Sequence, residues 1–225
     1  MSLLNTRSKY LQIAFNRSLA EVQEMVSLLP PSQKIIIEAG TSLIKRYGQK
    51  AISDLNFWWA KKIGQPGYIV ADLKAMDRGS AEVKSAARAG ASAATCLGLA
   101  PVETIDEFIK HCKTHSIDSM VDMMNVPFPF EVLQKLKNLP DIVVLHRGAD
   151  EHALNREKQI PLDQITRIKG AYGKVLISVA GGETIREVVS DFFNGADIAV
   201  IWRSFYEKPK DTATLARDFL KLIKS

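Results

Sequence analysis

The chain has 225 residues, 46% apolar and 24% charged, with a formal net charge of +5. That length can bury a large core without cross-links, and Cys96 and Cys112 lack CxxC spacing, so both are expected as reduced packing residues. MSLLNTRSKY has no apolar signal core, no run could span a bilayer, and the basic residues are dispersed; these exclude nucleic-acid and membrane partners and predict a cytoplasmic protein.

Strand-like apolar runs alternate with helical periodicity along the chain. Tyr10–Phe15 ends at Asn16, and Leu19-Val22-Met25-Val26-Leu29 then follows a spacing of three or four. Ile35–Ala39 carries Glu38 at its end, and Thr41 opens a helical run. Tyr68–Leu73 leads into Asp72, Lys74 and Asp77, after which Ser80 opens the next helix. Ala93–Leu97 precedes the helical pattern Ile105-Phe108-Ile109-Cys112. Ser119–Met124 contains Asp122. Asp141 turns the chain into Ile142–His146, which ends in His146 and Arg147; Arg147 to Ile160 is expected as the longest loop. Val175–Ala180 ends in Gly181-Gly182 and is followed by Val188-Val189-Phe192-Phe193. Gly195-Ala196-Asp197 turns into Ile198–Trp202, then Arg203, and Thr212 opens a last helix with Leu215-Phe219-Leu220-Ile223.

Eight strands alternating with eight helices predict an α/β fold, a single (β/α)8 barrel over residues 1–225, with a doubly wound open sheet as the alternative. Barrel chemistry gathers at the C-terminal strand ends, whereas charges at strand starts are structural. Glu38 and Asp72, carboxylates on neighbouring strands, need a proton or cation between them, and hard oxygen ligands suit Mg²⁺. Lys74, two residues from Asp72, shares its face in a regular strand and could stabilise a developing anion. His146 is the one histidine at a strand end and a candidate for proton transfer. Gly181-Gly182 before a helix start, with Arg203 one strand later, forms a candidate phosphate cradle.

Asp72-Leu73-Lys74-Ala75-Met76-Asp77 resembles the DxKxxD signature of the orotidine monophosphate decarboxylase superfamily. With Gly79 added, it is similar to the 3-hexulose-6-phosphate synthase branch. LQIAFN, IEAGTSLIKRYG, VDMM and VAGGETI agree, and LAPVETI and LHRGAD are similar to archaeal synthases. The resemblance runs from about Leu11 to Ile223. It implies a homodimer with shared active sites, in which Asp77 reaches into the partner's site, and Mg²⁺ held by Glu38 and Asp72. The implied substrates are ribulose 5-phosphate and formaldehyde, joined through an enediolate. Lys74 stabilises that anion, His146 moves the proton, and Asp77 positions Lys74 and substrate hydroxyls. Asn16, Asp122, Arg147, Gly181, Gly182 and Arg203 are expected to bind the substrate or its phosphate.

Two positions depart from the family pattern: Asn16 replaces an Asp, and Trp202 replaces a Gly before the phosphate-binding Arg203. They sustain the reading of a phosphosugar-binding barrel without chemistry. A decarboxylase acting on orotidine monophosphate or 3-keto-L-gulonate 6-phosphate is the other alternative. Glu38, where the metal-free orotidine enzymes place a lysine, favours metal chemistry.

Overall fold

The computed structural model of the chain describes residues 2–155, 160–181, 184–201 and 212–223. Eight parallel strands close in sequence order, each paired with the next and the eighth with the first. They are β1 (Tyr10–Phe15), β2 (Ile35–Ala39), β3 (Ile69–Ala75), β4 (Ala93–Leu97), β5 (Asp118–Asp122), β6 (Ile142–His146), β7 (Leu176–Ala180) and β8 (Ile198–Ile201). The expected (β/α)8 barrel is observed, and the open sheet is excluded by the β1–β8 pairing.

Continuously apolar strands follow from burial on both faces. Leu11, Ile13 and Phe15 of β1 belong to the core between barrel and helices, while Ala14 belongs to a separate core inside the barrel. Ile36, Val70, Met120, Ile142, Leu176 and Ile198 fill the same interior.

The helical layer contains α1 (Leu19–Leu28), α2 (Thr41–Tyr47), α3 (Gln49–Ile63), α4 (Gly79–Arg88), α5 (Val102–Thr114) and α6 (Pro129–Lys135). It continues with α7 (Ala149–Leu154), α8 (Asp163–Ala171), α9 (Ile185–Phe193) and α10 (Thr212–Leu222). Two expectations are corrected. The segment expected as the longest loop contains α7, whose acidic first turn (Asp150, Glu151) complements the helix dipole. Thr41 starts α2, but Ser80, expected to open its helix, is the second residue of α4, which starts at Gly79; the N-cap positions are Gly40 and Arg78, and neither makes a side-chain cap bond. Capping boxes instead close α1 (Ser18, Glu21) and α9 (Thr184, Glu187).

The strand starts carry carboxylates with structural partners, Asp118 and Asp197 buried and Asp141 partly so. Asp118 accepts from Ser2 Oγ at 2.7 Å and Leu3 N at 2.9 Å, and also from the Tyr68 hydroxyl. Asp197, just before β8, accepts from Ile177 N at 2.9 Å and Lys169 Nζ at 2.8 Å. Asp141, just before β6, accepts from the Ser119 hydroxyl at 2.9 Å. The Asp141 and Asp197 bonds link neighbouring strands, and those of Asp118 tie down the N-terminal segment and Tyr68, all at the N-terminal face, where barrels place stability determinants.

Trp59 of α3 is fully buried, and Gly67 lies flush against it: a Cβ at position 67 would stand 2.2 Å from Trp59 Cδ1. Trp59→Ala should therefore cost about 3–5 kcal/mol. Urea unfolding at unchanged m-value checks it, and a loss below about 1 kcal/mol would show that the helical layer does not depend on this ring.

Candidate active site

A cavity of about 310 Å³ opens at the C-terminal ends of the strands, a size within the range of small-ligand sites. Asn16, Glu38, Asp72, Lys74, Asp122, His146, Arg147 and Gly181 all line it, above a floor that includes Val144 and Val200. With Thr95 of β4, all eight strands contribute a residue to this one pocket.

At its centre, Lys74 Nζ lies 3.1 Å from Asp72 Oδ1 and 3.0 Å from Asp122 Oδ2. The backbone route to this position differs from the regular alternation expected. β3 bulges between Ala71 and Ala75, and Lys74 adopts φ 48°, in the left-handed region. That conformation is uncommon for a residue with a side chain, and costs of order 1–3 kcal/mol. Bulges of this kind re-aim side chains beside active sites. Burial alone would lower the Lys74 pKa, but Asp72, Asp122 and Glu38 together raise it above the ordinary lysine value. The ammonium therefore keeps its charge at neutral pH.

Asp72 is held from two sides. The Thr95 hydroxyl of β4 donates to Oδ1 at 2.8 Å, and the Thr41 hydroxyl lies 2.7 Å from Oδ2. Asp122 Oδ1 accepts from Met124 N at 2.9 Å, and its Oδ2 faces His146 Nδ1 at 2.7 Å. A carboxylate only accepts, so Nδ1 carries the proton and Nε2 is left for a substrate. Burial would lower the His146 pKa, but the bond to Asp122 and its charge raise it. Burial would raise Asp122, yet the His146 bond and the two cationic neighbours lower it. Lysine is thus a fixed charge and histidine the group that titrates.

Glu38 is 8% exposed and accepts from Gln12 Nε2 at 2.5 Å. Burial first, and then the charge of Asp72, raise its carboxyl to about 7. Among the described residues no group of three or more His, Cys, Asp or Glu side chains is placed to hold a metal ion. Glu38 and Asp72 nevertheless fit a divalent cation that keeps open positions: two hard carboxylates on adjacent strands, one destabilised by the other's charge. A cation there would offset the burial and the Asp72 repulsion that together favour protonated Glu38.

Asn16 packs directly on Gly40, where a Cβ would stand 2.3 Å from its Oδ1, and that oxygen accepts from Ser42 N at 3.3 Å. Gly181 has φ 125°, and a Cβ there would meet the Arg147 carbonyl at 2.9 Å, so the β7 end and the β6 end close together. Arg147 Nη2 donates to the Asn155 carbonyl at 2.7 Å, while its buried Nε has no partner among the described residues. Gly182, Trp202 and Arg203 lie outside the described residues. Asp77 is exposed and faces a separate hollow with Arg78, Glu103 and Glu107, away from the pocket of its own chain. Gln12, Thr41 and Thr95 were not among the expected site residues; Gln12 and Thr95 are marked in the sequence only as polar residues inside apolar strands.

Residues 9–218 match a family model described as Orotidine 5'-phosphate decarboxylase / HUMPS family. The bifunctional enzyme Fae/Hps of Methanocella arvoryzae is 40% identical over 218 residues, covering 96% of this chain and 53% of that protein. The chain spans about half the length of the curated relatives it matches. Among solved structures, 3-hexulose-6-phosphate synthase from Salmonella typhimurium superposes with a TM-score of 0.82 at 27% identity, covering 95% of this chain and 98% of that one. A second 3-hexulose-6-phosphate synthase superposes at 0.80 with 29% identity, covering 95% and 99%.

The elevated Glu38 pKa has a stability signature. Between pH 4.5 and about 7 the folded state holds a proton that the unfolded state releases, so stability falls as pH rises through this window and is level above it. In chelator, Glu38→Gln should match the parent near pH 4.5 and exceed it at pH 8 by up to about 3 kcal/mol. Urea midpoints at the two pH values measure this, and parallel curves would place Glu38 outside the charged cluster.

Proposed function

Because the chain belongs to the orotidine 5'-phosphate decarboxylase / HUMPS family, we propose that it is a Mg²⁺-dependent aldehyde-lyase. It interconverts D-arabino-3-hexulose 6-phosphate with D-ribulose 5-phosphate and formaldehyde. The observation that carries this reading is the Lys74 ammonium, fixed between Asp72 and Asp122 inside a strand-end pocket. It supplies a permanent positive charge where a sugar-derived enediolate would form. The likeness to two solved 3-hexulose-6-phosphate synthases supports the choice of substrate.

Glu38 and Asp72 would hold the ion, which when bound polarises the substrate ketone and spreads the charge of the adjoining anion. His146 takes a proton from C1 of ribulose 5-phosphate through Nε2, with Asp122 stabilising the resulting imidazolium. The electron pair left on C1 attacks the formaldehyde carbon, and the new alkoxide takes up a proton to become the hydroxymethyl group. In the reverse direction that hydroxyl loses its proton, the carbon–carbon bond breaks and His146 returns a proton to C1. Lys74, held charged, stabilises the enediolate oxygen in both directions and serves as no base. Asn16 offers a polar contact to a substrate hydroxyl, and Arg147 with the Gly181 turn offers one to the phosphate. Asp77, exposed and turned from its own pocket, is read as a contribution to the partner's site in a homodimer.

Formaldehyde release from the hexulose phosphate, followed with and without chelator, tests the reading. Release that stops in chelator and returns with Mg²⁺ is expected; carbon dioxide release from 3-keto-L-gulonate 6-phosphate would assign a decarboxylase instead. Lys74→Ala should lower kcat by about 10²–10³-fold while the protein stays folded by circular dichroism. An unchanged rate would remove the mechanism.

The acid limb of the fixation rate should lie above pH 6.5, the ordinary imidazole value, because Asp122 favours protonated His146. Asp122→Asn removes that charge and should move the limb to lower pH. A limb that does not move would show that His146 is not the titrating base.

A further inference from the structure

The third strand reaches the site by an irregular path. From Ala71 to Ala75, β3 advances four residue steps while β4 advances two, from Ala94 to Cys96. Lys74 sits in this excess at φ 48°. A conformation so sparsely populated persists only where surrounding groups over-determine it. Thr95 of β4, 4% exposed, is such a group: its Oγ1 accepts the Lys74 N–H at 3.0 Å and donates to Asp72 Oδ1 at 2.8 Å. The direction of both bonds is forced. An ionised carboxylate accepts and an amide donates, so the single hydroxyl proton points at Asp72 and a lone pair at Lys74.

We propose that Thr95 is a positioning residue for the proposed reaction, one whose hydroxyl locks the β3 bulge and thereby places the Lys74 ammonium between Asp72 and Asp122. Buried backbone N–H groups are almost always paired, so losing the Thr95 oxygen leaves the Lys74 amide without an acceptor. The bulge then relaxes toward extended backbone, and the ammonium withdraws from Asp122. The same loss frees Asp72 to rotate about its remaining contacts with Thr41 and Lys74. This inference deepens the aldehyde-lyase reading, and only its kinetic arm rests on that reading.

Thr95→Ser and Thr95→Ala differ by one oxygen, and Thr95→Val keeps the shape while removing the hydroxyl. Thr95→Ser should retain kcat for formaldehyde release within a few-fold. Thr95→Ala and Thr95→Val should each lose about 10²-fold, the scale of an ångström-level misplacement, with KM little changed. If one of the two hydroxyl-free variants fails to fold, the other carries the comparison. Full activity in Thr95→Val with loss in Thr95→Ser would mean the residue acts by packing and would overturn the proposal. Crystal structures of Thr95→Ser and of the folded hydroxyl-free variant form the second arm, independent of substrate. A negative Lys74 φ and a broken Asp122 contact only where the hydroxyl is missing are expected. Lys74 still within about 3 Å of both carboxylates overturns the proposal whatever the reaction. A parent protein that releases no formaldehyde sinks the aldehyde-lyase reading alone, and the crystallographic arm then decides the role of Thr95.

Discussion

The ammonium of Lys74, 3.1 Å from Asp72 and 3.0 Å from Asp122, holds the rest of the site together. Three carboxylates, Glu38, Asp72 and Asp122, are buried at one end of the barrel, and buried charge is tolerated only when compensated. The lysine, the raised imidazole of His146 and the retained proton of Glu38 supply that compensation. Each is a functional resource as well. The lysine is a fixed positive charge, the histidine a proton carrier, and the Glu38 proton a place that a divalent cation can take.

The barrel sorts its acidic residues by end. At the strand starts, Asp118, Asp141 and Asp197 accept from backbone amides, hydroxyls and lysines that fasten strands, a helix and the N-terminal segment to one another. At the strand ends, Glu38, Asp72 and Asp122 face an open cavity. The chemical type is the same at both ends. What differs is whether the surrounding chain closes over the carboxylate or leaves room for a substrate.

The barrel itself was legible because its strands are short, largely apolar runs, a pattern that burial on both faces imposes, and several carry a polar residue at or just past their ends. Asp72, Lys74, Asp122 and His146 could be nominated together for the same reason, and they do meet in one cavity. Their support could not be read. Thr95 acts through cross-strand register, and the bulge that brings it opposite Lys74 leaves no local signature in VADLKAMD. Spacing of two residues put Lys74 beside Asp72 by regular alternation; the structure brings them together through a left-handed residue instead. Gln12 was hidden by the apolar company of its strand, and α7 by a run of charge that reads as loop. Asp77, assigned by resemblance to the partner's site, lines a hollow separate from the pocket of its own chain.

Enediolate formation is the central claim, and proton exchange at C1 of ribulose 5-phosphate in D₂O measures it without formaldehyde or any coupled step. Proton NMR of the sugar incubated with the protein and Mg²⁺ should show one C1 hydrogen replaced by deuterium, with no replacement when Lys74 is changed to alanine. Retention of both C1 hydrogens by the parent protein, under conditions where the sugar phosphate binds, would contradict it.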